Sequence, residues 1–280
     1  MGHAVVIGGG TMGAGIAFAL ARSGIETELV EVSEPLAQAG VDRAGEMIDD
    51  AVVRGRLTAG DAETAKRILR PRVGVEGAAP RPRLAIEAVP ERLELKHQVL
   101  AAAESLEPGL LASNTSGISI DLLAEGLGDP TRFLGLHFFN PVPAMALVEI
   151  VLGERTSETS ASAAAELVAE IGKEAVVVGD SPGFATSRLG LALGLEAIRM
   201  VEGGVAEPAD IDRAMVLGYR HPVGPLRLTD IVGLDVRLDI ARNLREAYGD
   251  RFTPPPLLER MVADGQLGKK TGRGFFTWDP

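Results

Sequence analysis

The chain has 280 residues, 46% of them hydrophobic, which at roughly 150 residues per domain gives about two domains with buried cores. Its 39 acidic against 28 basic residues leave a net charge of -11, which works against nonspecific binding to nucleic acid or an anionic membrane, so neither is expected as a partner. With no cysteine, disulfides, thiolate metal sites and cysteine nucleophiles are excluded; no metal is expected, and the composition suits a reducing cytoplasm.

The opening MGHAVVIGGG has no basic stretch of the kind that begins a signal peptide, and no apolar run approaches the roughly eighteen residues of a membrane span, so export and insertion are not expected. HAVVIG (3–8) predicts a buried strand, TMGAGIAFALARSG (11–24) a helix stopped by glycine, and IETELVE (25–31) a second strand. From Pro35 to about Leu69 the pattern is helical twice, interrupted at RGRLTAGD (54–61), where Thr58 and Asp61 are cap candidates. An antiparallel helix pair projecting from the sheet is expected there. Strand signals return at LAIEAV, LLASNTS, FLGLHFF, LVEIVLG and EAVVVG, with helical stretches at 91–105 and 156–172. This alternation predicts an α/β fold with a largely parallel, doubly wound sheet. After GDSPGF the strands stop, and 184–203, 207–217, 225–248 and 255–264 all read as helices. Residues 1–181 are therefore expected to form the sheet domain and 182–280 a smaller, all-helical one.

Gly8, Gly10 and Gly13 form G-x-G-x-x-G between the first strand and the first helix. The first glycine permits the tight turn, the second lets a pyrophosphate approach the backbone, and the third allows the helix to pack closely on the sheet. The amides of the first helical turn, at Thr11 and Met12, then face anionic oxygens. Glu31 ends the second strand eighteen residues after Gly13, where a carboxylate accepts hydrogen bonds from an adenosine ribose and repels a 2′-phosphate. Together these features predict a dinucleotide, and NAD over NADP.

GLHFFNPVPAMALVEIV (135–151) sets His137 beside two phenylalanines and Glu149 inside a run of valine, leucine and isoleucine. An unpaired carboxylate buried there costs several kcal/mol, so it calls for protonation or a cationic partner, and His137 is the economical candidate. At about 4 Å and an effective dielectric near 20, that carboxylate is worth roughly 4 kcal/mol to an imidazolium before desolvation. Such a pair is a general base with its orienter. Beside NAD, the base takes the proton of a secondary alcohol while hydride leaves the same carbon. Ser113 and Asn114, ending the fourth predicted strand, are positioned to bind the substrate oxygen or the nicotinamide ribose, although Ser116 or Ser119 could equally form a helix N-cap.

GGGTMGAGIA, EAVPERLELK, SNTSGISI, GLHFFNPVPAMALVEIV, DSPGF, HPVGPLRLTDIVGLD and LGKKTGRGFF resemble, in order and nearly end to end, the L-3-hydroxyacyl-CoA dehydrogenase family, including its 3-hydroxybutyryl-CoA dehydrogenases. The resemblance implies a Rossmann-like domain with a helix-pair insertion, a helical carboxyl domain that forms a homodimer, and an acyl-CoA thioester substrate. It implies His137 as base, Glu149 as its partner and Ser113 on the substrate oxygen. By the same resemblance Glu31, Glu91, Lys96, Asn140 and Lys270 contact the dinucleotide. Two positions depart from the family pattern. Ser187 stands where an asparagine usually contacts substrate, so a shorter hydroxyl must reach, through water if at all; Ala146 replaces a frequent lysine and removes a cation near the active strand. Arg54, with Arg56, aligns approximately with a CoA-contacting lysine. The resemblance leaves two other readings open: a dehydrogenase of free hydroxy or sugar acids, as in the gulonate type, and a noncatalytic NADH-binding relative.

Overall fold

The alternating apolar runs of the first 181 residues build one eight-stranded sheet in the computed structural model, which describes residues 2–279. Its strands are β1 (Ala4–Ile7), β2 (Thr27–Glu31), β3 (Leu69–Val73), β4 (Leu84–Glu87), β5 (Leu110–Ser113), β6 (Phe133–Phe138), β7 (Leu147–Leu152) and β8 (Glu174–Gly179), in the order β3-β2-β1-β4-β5-β6-β7-β8. The first six run parallel. Helices α1 (Thr11–Arg22), α2 (Glu34–Val53), α3 (Ala59–Arg67), α4 (Leu93–Glu104), α5 (Ile120–Ala124) and α6 (Glu158–Glu170) connect them. β1, β4 and β5 are buried at every residue, which is why they read as unbroken apolar runs: a parallel sheet is covered on both faces.

β7 departs from the parallel pattern by running antiparallel to β6. Residues 139–146 contain no helix, and a link so short cannot make the crossover of about a dozen residues that a parallel pair needs. β3 is a strand that the sequence pattern concealed, because Pro71 has no N–H to give a ladder; only an edge position tolerates it. The helix pair is present, and Thr58 caps α3 by accepting from the Asp61 N–H. It does not project clear of the sheet. The small-residue face of α2, Ala37, Gly40, Ala44, Ile48 and Ala51, lies against α1, β2 and β3.

The chain divides between Ser181 and Pro182. The second unit contains α7 (Thr186–Glu202), α8 (Pro208–Tyr219), α9 (Pro225–Val232), α10 (Leu234–Tyr248) and α11 (Pro256–Ala263) around a core that includes Leu191, Leu195, Leu226, Leu234 and Leu238. The single helix expected over 225–248 is two, because Gly233 at φ 106° lies far outside helical backbone. Buried Asp230 accepts from Phe275 N, Phe276 N and Trp278 Nε1, and so pins the carboxyl-terminal turn to this core.

Candidate active site

Strand order reverses between β1 and β4, and crevices open at such switch points beyond the carboxyl ends of the strands. Here a cavity of about 530 Å³ is lined by Gly8, Gly10, Thr11, Met12, Glu31 and Val89 among others. A Cβ on Gly13 would stand 1.8 Å from the Gly8 carbonyl oxygen, so α1 packs on the loop at a distance only glycine allows. A Cβ on Gly10 would meet nothing within 4 Å, leaving room for a pyrophosphate against bare backbone. Glu31 accepts from Gly9 N at 2.8 Å and Val32 N at 3.0 Å, which holds its carboxylate at the lip of the crevice. These residues fit NAD. A 2′-phosphate would meet that carboxylate, so NAD is expected to exceed NADP in kcat/KM. Glu31→Ala should narrow the gap by about tenfold in a steady-state comparison, and an unchanged ratio would discard the role of Glu31.

A second cavity, of about 320 Å³, shares Met12, Ala88 and Val89 with the first and is lined further by Glu91, Asn114, Ser116, His137 and Asn140. His137 and Glu149 meet there because the β6–β7 hairpin sets them directly opposite each other in the ladder. His137 Nδ1 and Glu149 Oε2 are 2.8 Å apart, and Glu149 is fully buried. With Nδ1 turned to the carboxylate, proton exchange with a ligand falls to Nε2. The Phe139 ring packs against the imidazole at 4.3 Å between centroids.

Glu91, on the wall of this cavity, belongs to a closed ring of polar groups that is otherwise buried. Lys96 Nζ donates to Glu87 Oε1 at 2.7 Å and to Val89 O at 3.3 Å, and it pairs with Glu91 Oε2 at 3.1 Å. An ammonium has three hydrogens, and all are taken up inside the protein. Lys96, expected on the dinucleotide, is only 1% exposed and meets Glu87, Val89 and Glu91 within the protein. Ser113 is also placed differently from expectation: it is wholly buried, and its hydroxyl donates to Glu87 Oε2 at 2.6 Å. Glu91 lines the cavity and accepts from Thr115 Oγ1 at 2.5 Å and Ser116 N at 2.9 Å. Glu87 was missed in the sequence, yet LAIEAV carries the signal that exposed Glu149: a carboxylate within a strand of buried apolar residues.

Burial alone would lift the Glu91 carboxyl, but the Lys96 charge and the hydrogen bonds from Thr115 and Ser116 outweigh it and hold its pKa below the usual 4.5. A depressed folded value stabilises the protein above the unfolded value, and that stabilisation is lost as pH falls through the folded one. Wild type should therefore exceed Glu91→Gln in urea midpoint near pH 7 and lose that advantage progressively as pH falls below the ordinary carboxylate value of 4.5, and a pH-independent difference would exclude the ion pair as its source.

The departures resolve in part. Beside Ala146, Lys173 Nζ donates to Val142 O at 2.8 Å and Met145 O at 2.6 Å, so a cation does stand at this loop, supplied from the residue before β8. Its pKa is lowered by burial and by Arg22. Arg54, Arg56 and Arg22 line a separate cavity of about 220 Å³ with Pro141 and Pro143, and Arg54 lies 3.8 Å from Asp50. Ser119, one of the two serines left open as caps, caps α5. In the helical unit, Ser187 is in the first turn of α7 and Lys270 Nζ donates to Asp235 Oδ2 at 2.5 Å.

Taking the proton from a hydroxyl and the hydride from the carbon that bears it requires a base beside a dinucleotide site at one sheet edge, and this fold sets His137 beside a crevice that fits the dinucleotide. The class is therefore an NAD-dependent dehydrogenase. The model of the 3-hydroxyacyl-CoA dehydrogenase NAD binding domain matches residues 3–181, and that of the family's C-terminal domain matches 183–278. The chain belongs to the 3-hydroxyacyl-CoA dehydrogenase family. It is 42% identical over 278 residues to a 3-hydroxybutyryl-CoA dehydrogenase of Mycobacterium tuberculosis, covering 98% of this chain and 97% of that one. A probable 3-hydroxybutyryl-CoA dehydrogenase of Bacillus subtilis is 38% identical, with 98% and 96% covered. The crystal structure of (S)-3-hydroxybutyryl-CoA dehydrogenase from Ralstonia eutropha superposes with a TM-score of 0.94 at 37% identity, covering 100% of both chains.

Proposed function

We propose that this dehydrogenase oxidises (3S)-3-hydroxyacyl-CoA thioesters of short acyl chain, such as 3-hydroxybutyryl-CoA, reversibly to the 3-oxoacyl-CoA. The observation that carries the reading is the buried His137–Glu149 pair, 2.8 Å apart, on the cavity that continues the dinucleotide crevice. The hydroxyl proton passes to His137 Nε2, and Glu149 orients the ring and stabilises the positive charge it gains. Bound NAD supplies the hydride acceptor. The names of the mycobacterial and Bacillus relatives support a four-carbon acyl group.

The three guanidinium groups around the smaller cavity, from Arg22, Arg54 and Arg56, support a subsite for the CoA phosphates. Apolar side chains left exposed on the helical unit, among them Leu189, Leu193, Leu217 and Val236, support a homodimer formed through that domain. A cytoplasmic location, where NAD and CoA thioesters are both at hand, is part of the proposal. A panel of 3-oxoacyl-CoA thioesters from short to long chain, followed by NADH consumption, tests the substrate; highest kcat/KM on acetoacetyl-CoA is expected, and inactivity on the whole panel overturns the reading. Light scattering on the same preparation should give a dimer mass, and a monomer at micromolar concentration would remove that part.

A further inference from the structure

Residues 139–146, between the strand that carries His137 and the strand that carries Glu149, form part of the wall of two cavities at once. Phe139 packs on the His137 imidazole at 4.3 Å between centroids, and Asn140 lines the 320 Å³ cavity with it. The residues that follow, Pro141, Pro143 and Ala144, line the 220 Å³ cavity together with Arg22, Arg54 and Arg56. A substrate that reaches from one cavity to the other is measured along this one segment.

The segment is gripped from two sides. Pro141 O accepts from Ala144 N at 2.9 Å and Met145 N at 3.1 Å, which closes a turn, and the buried Val142 side chain is seated on α1, where a Cβ on Gly15 would stand 2.8 Å from the Val142 Cβ. Lys173 holds the other side. Its Nζ donates to Val142 O at 2.8 Å and to Met145 O at 2.6 Å, and Glu174 N, next in the chain, donates to Ala146 O at 2.8 Å. As a device for stability alone this is a poor arrangement. Lys173 is half-buried, burial and the Arg22 charge both work against its ammonium, and among the described residues no carboxylate pairs with it. Ala144, Met145 and Ala146 are exposed, so water would satisfy carbonyls on this turn, though without fixing them. What the lysine adds is position, since one ammonium bridging two carbonyls three residues apart admits few geometries of the turn between them.

We propose that Lys173 is a positioning residue for the reaction: by bridging the carbonyls of Val142 and Met145 it holds the 139–146 turn against both cavities, and so fixes where the 3-carbon of a CoA thioester comes to rest beside His137. The inference rests on the proposed function and deepens it by naming what registers the substrate. Lys173 lines neither cavity, so its effect passes through the turn, by way of Phe139 and Asn140 on one side and Pro141, Pro143 and Ala144 on the other. A displacement of about 1 Å at the reacting carbon costs about a hundredfold in rate, and a turn that drifts by a fraction of that distance should cost about tenfold.

The test compares Lys173→Met and Lys173→Arg with wild type in the reduction of acetoacetyl-CoA and of acetoacetyl-pantetheine, which keeps the thioester and lacks the phosphates. Turnover is counted per NADH-binding site, from fluorescence titration, so that a variant folded in part is not mistaken for a slow one. Wild-type turnover of acetoacetyl-CoA reports on the proposed function by itself; the variant-to-wild-type ratios report on Lys173. Lys173→Met should lose about tenfold in kcat on both substrates, because the wall beside His137 shifts whether or not phosphates are present. Its KM for acetoacetyl-CoA should rise about tenfold as well, with NADH affinity kept within about threefold. Lys173→Arg, whose guanidinium also donates to two carbonyls, should recover most of the lost kcat. Lys173→Met with kcat per site within about twofold of wild type on both substrates would overturn the proposal, since the turn would then hold without the bridge. A rise in KM confined to acetoacetyl-CoA, with kcat intact, would do so too, by making Lys173 a ligand of the phosphates. Lys173→Arg as slow as Lys173→Met would refute the bridge as the cause.

Discussion

Replacing His137 by Gln lowers turnover about a hundredfold or more and leaves NADH affinity nearly unchanged. The two outcomes separate because the imidazole lines the 320 Å³ cavity, where the substrate carbon must sit, while the glycine loop and Glu31 line the 530 Å³ crevice. Gln is close in size and keeps a polar group opposite the fully buried Glu149 carboxylate. His137→Leu would take one partner from a fully buried carboxylate, and the resulting loss of stability would confound the kinetic measurement. Gln cannot accept and return a proton, and that is the property under test. Stopped-flow measurement of the hydride step, with NADH titrated in parallel by fluorescence, gives both numbers; turnover within a few-fold of wild type would end the assignment of His137 as base.

How legible this site was depends on the kind of signal each residue gave. The glycine loop was legible because strand, turn and helix must follow one another locally, and the acid ending β2 follows from the same local geometry. The His137–Glu149 pair was legible through cost: a carboxylate in ALVEIVLG needs a partner, and its position in the ladder opposite His137 is the physical realisation of that need. What the sequence concealed was direction. Nothing in HFFNPVPAMALVEIV states that β7 turns back antiparallel except the shortness of the link, and the inward course of Lys96 from α4 is invisible to a helical pattern in which lysine reads as a solvated face. Buried Lys96 is a tertiary outcome, made tolerable by Glu87 and Glu91 from outside its own helix. The direction of the Ser113 hydroxyl was hidden for the related reason that it is set by its partner, Glu87, twenty-six residues away in sequence.

Gly13→Ala and Gly10→Ala lie three residues apart in one motif and should fail in different ways. At Gly13 the added methyl would meet the Gly8 carbonyl oxygen at 1.8 Å. The obstacle is backbone, so no side-chain rotation relieves it; α1 must move off the loop, at a cost of roughly 1–3 kcal/mol or more. For a domain of this size that corresponds to a drop of roughly 3–10 °C in Tm, with the pyrophosphate amides displaced as well. NADH affinity should fall by more than about thirtyfold, since loop and helix no longer present their N–H groups together. Gly10 is at φ -66°, a conformation open to any residue, and its methyl would touch no protein atom within 4 Å. Gly10→Ala should therefore melt within about 1 °C of wild type yet bind NADH about tenfold more weakly, because the methyl enters the space where the pyrophosphate approaches the backbone. Thermal melts without ligand, set beside NADH titrations, separate the two. Equal melting losses would mean that the close approach at Gly13 is not what fixes the helix, and unchanged NADH binding by Gly10→Ala would mean that the dinucleotide does not cross the loop at that residue.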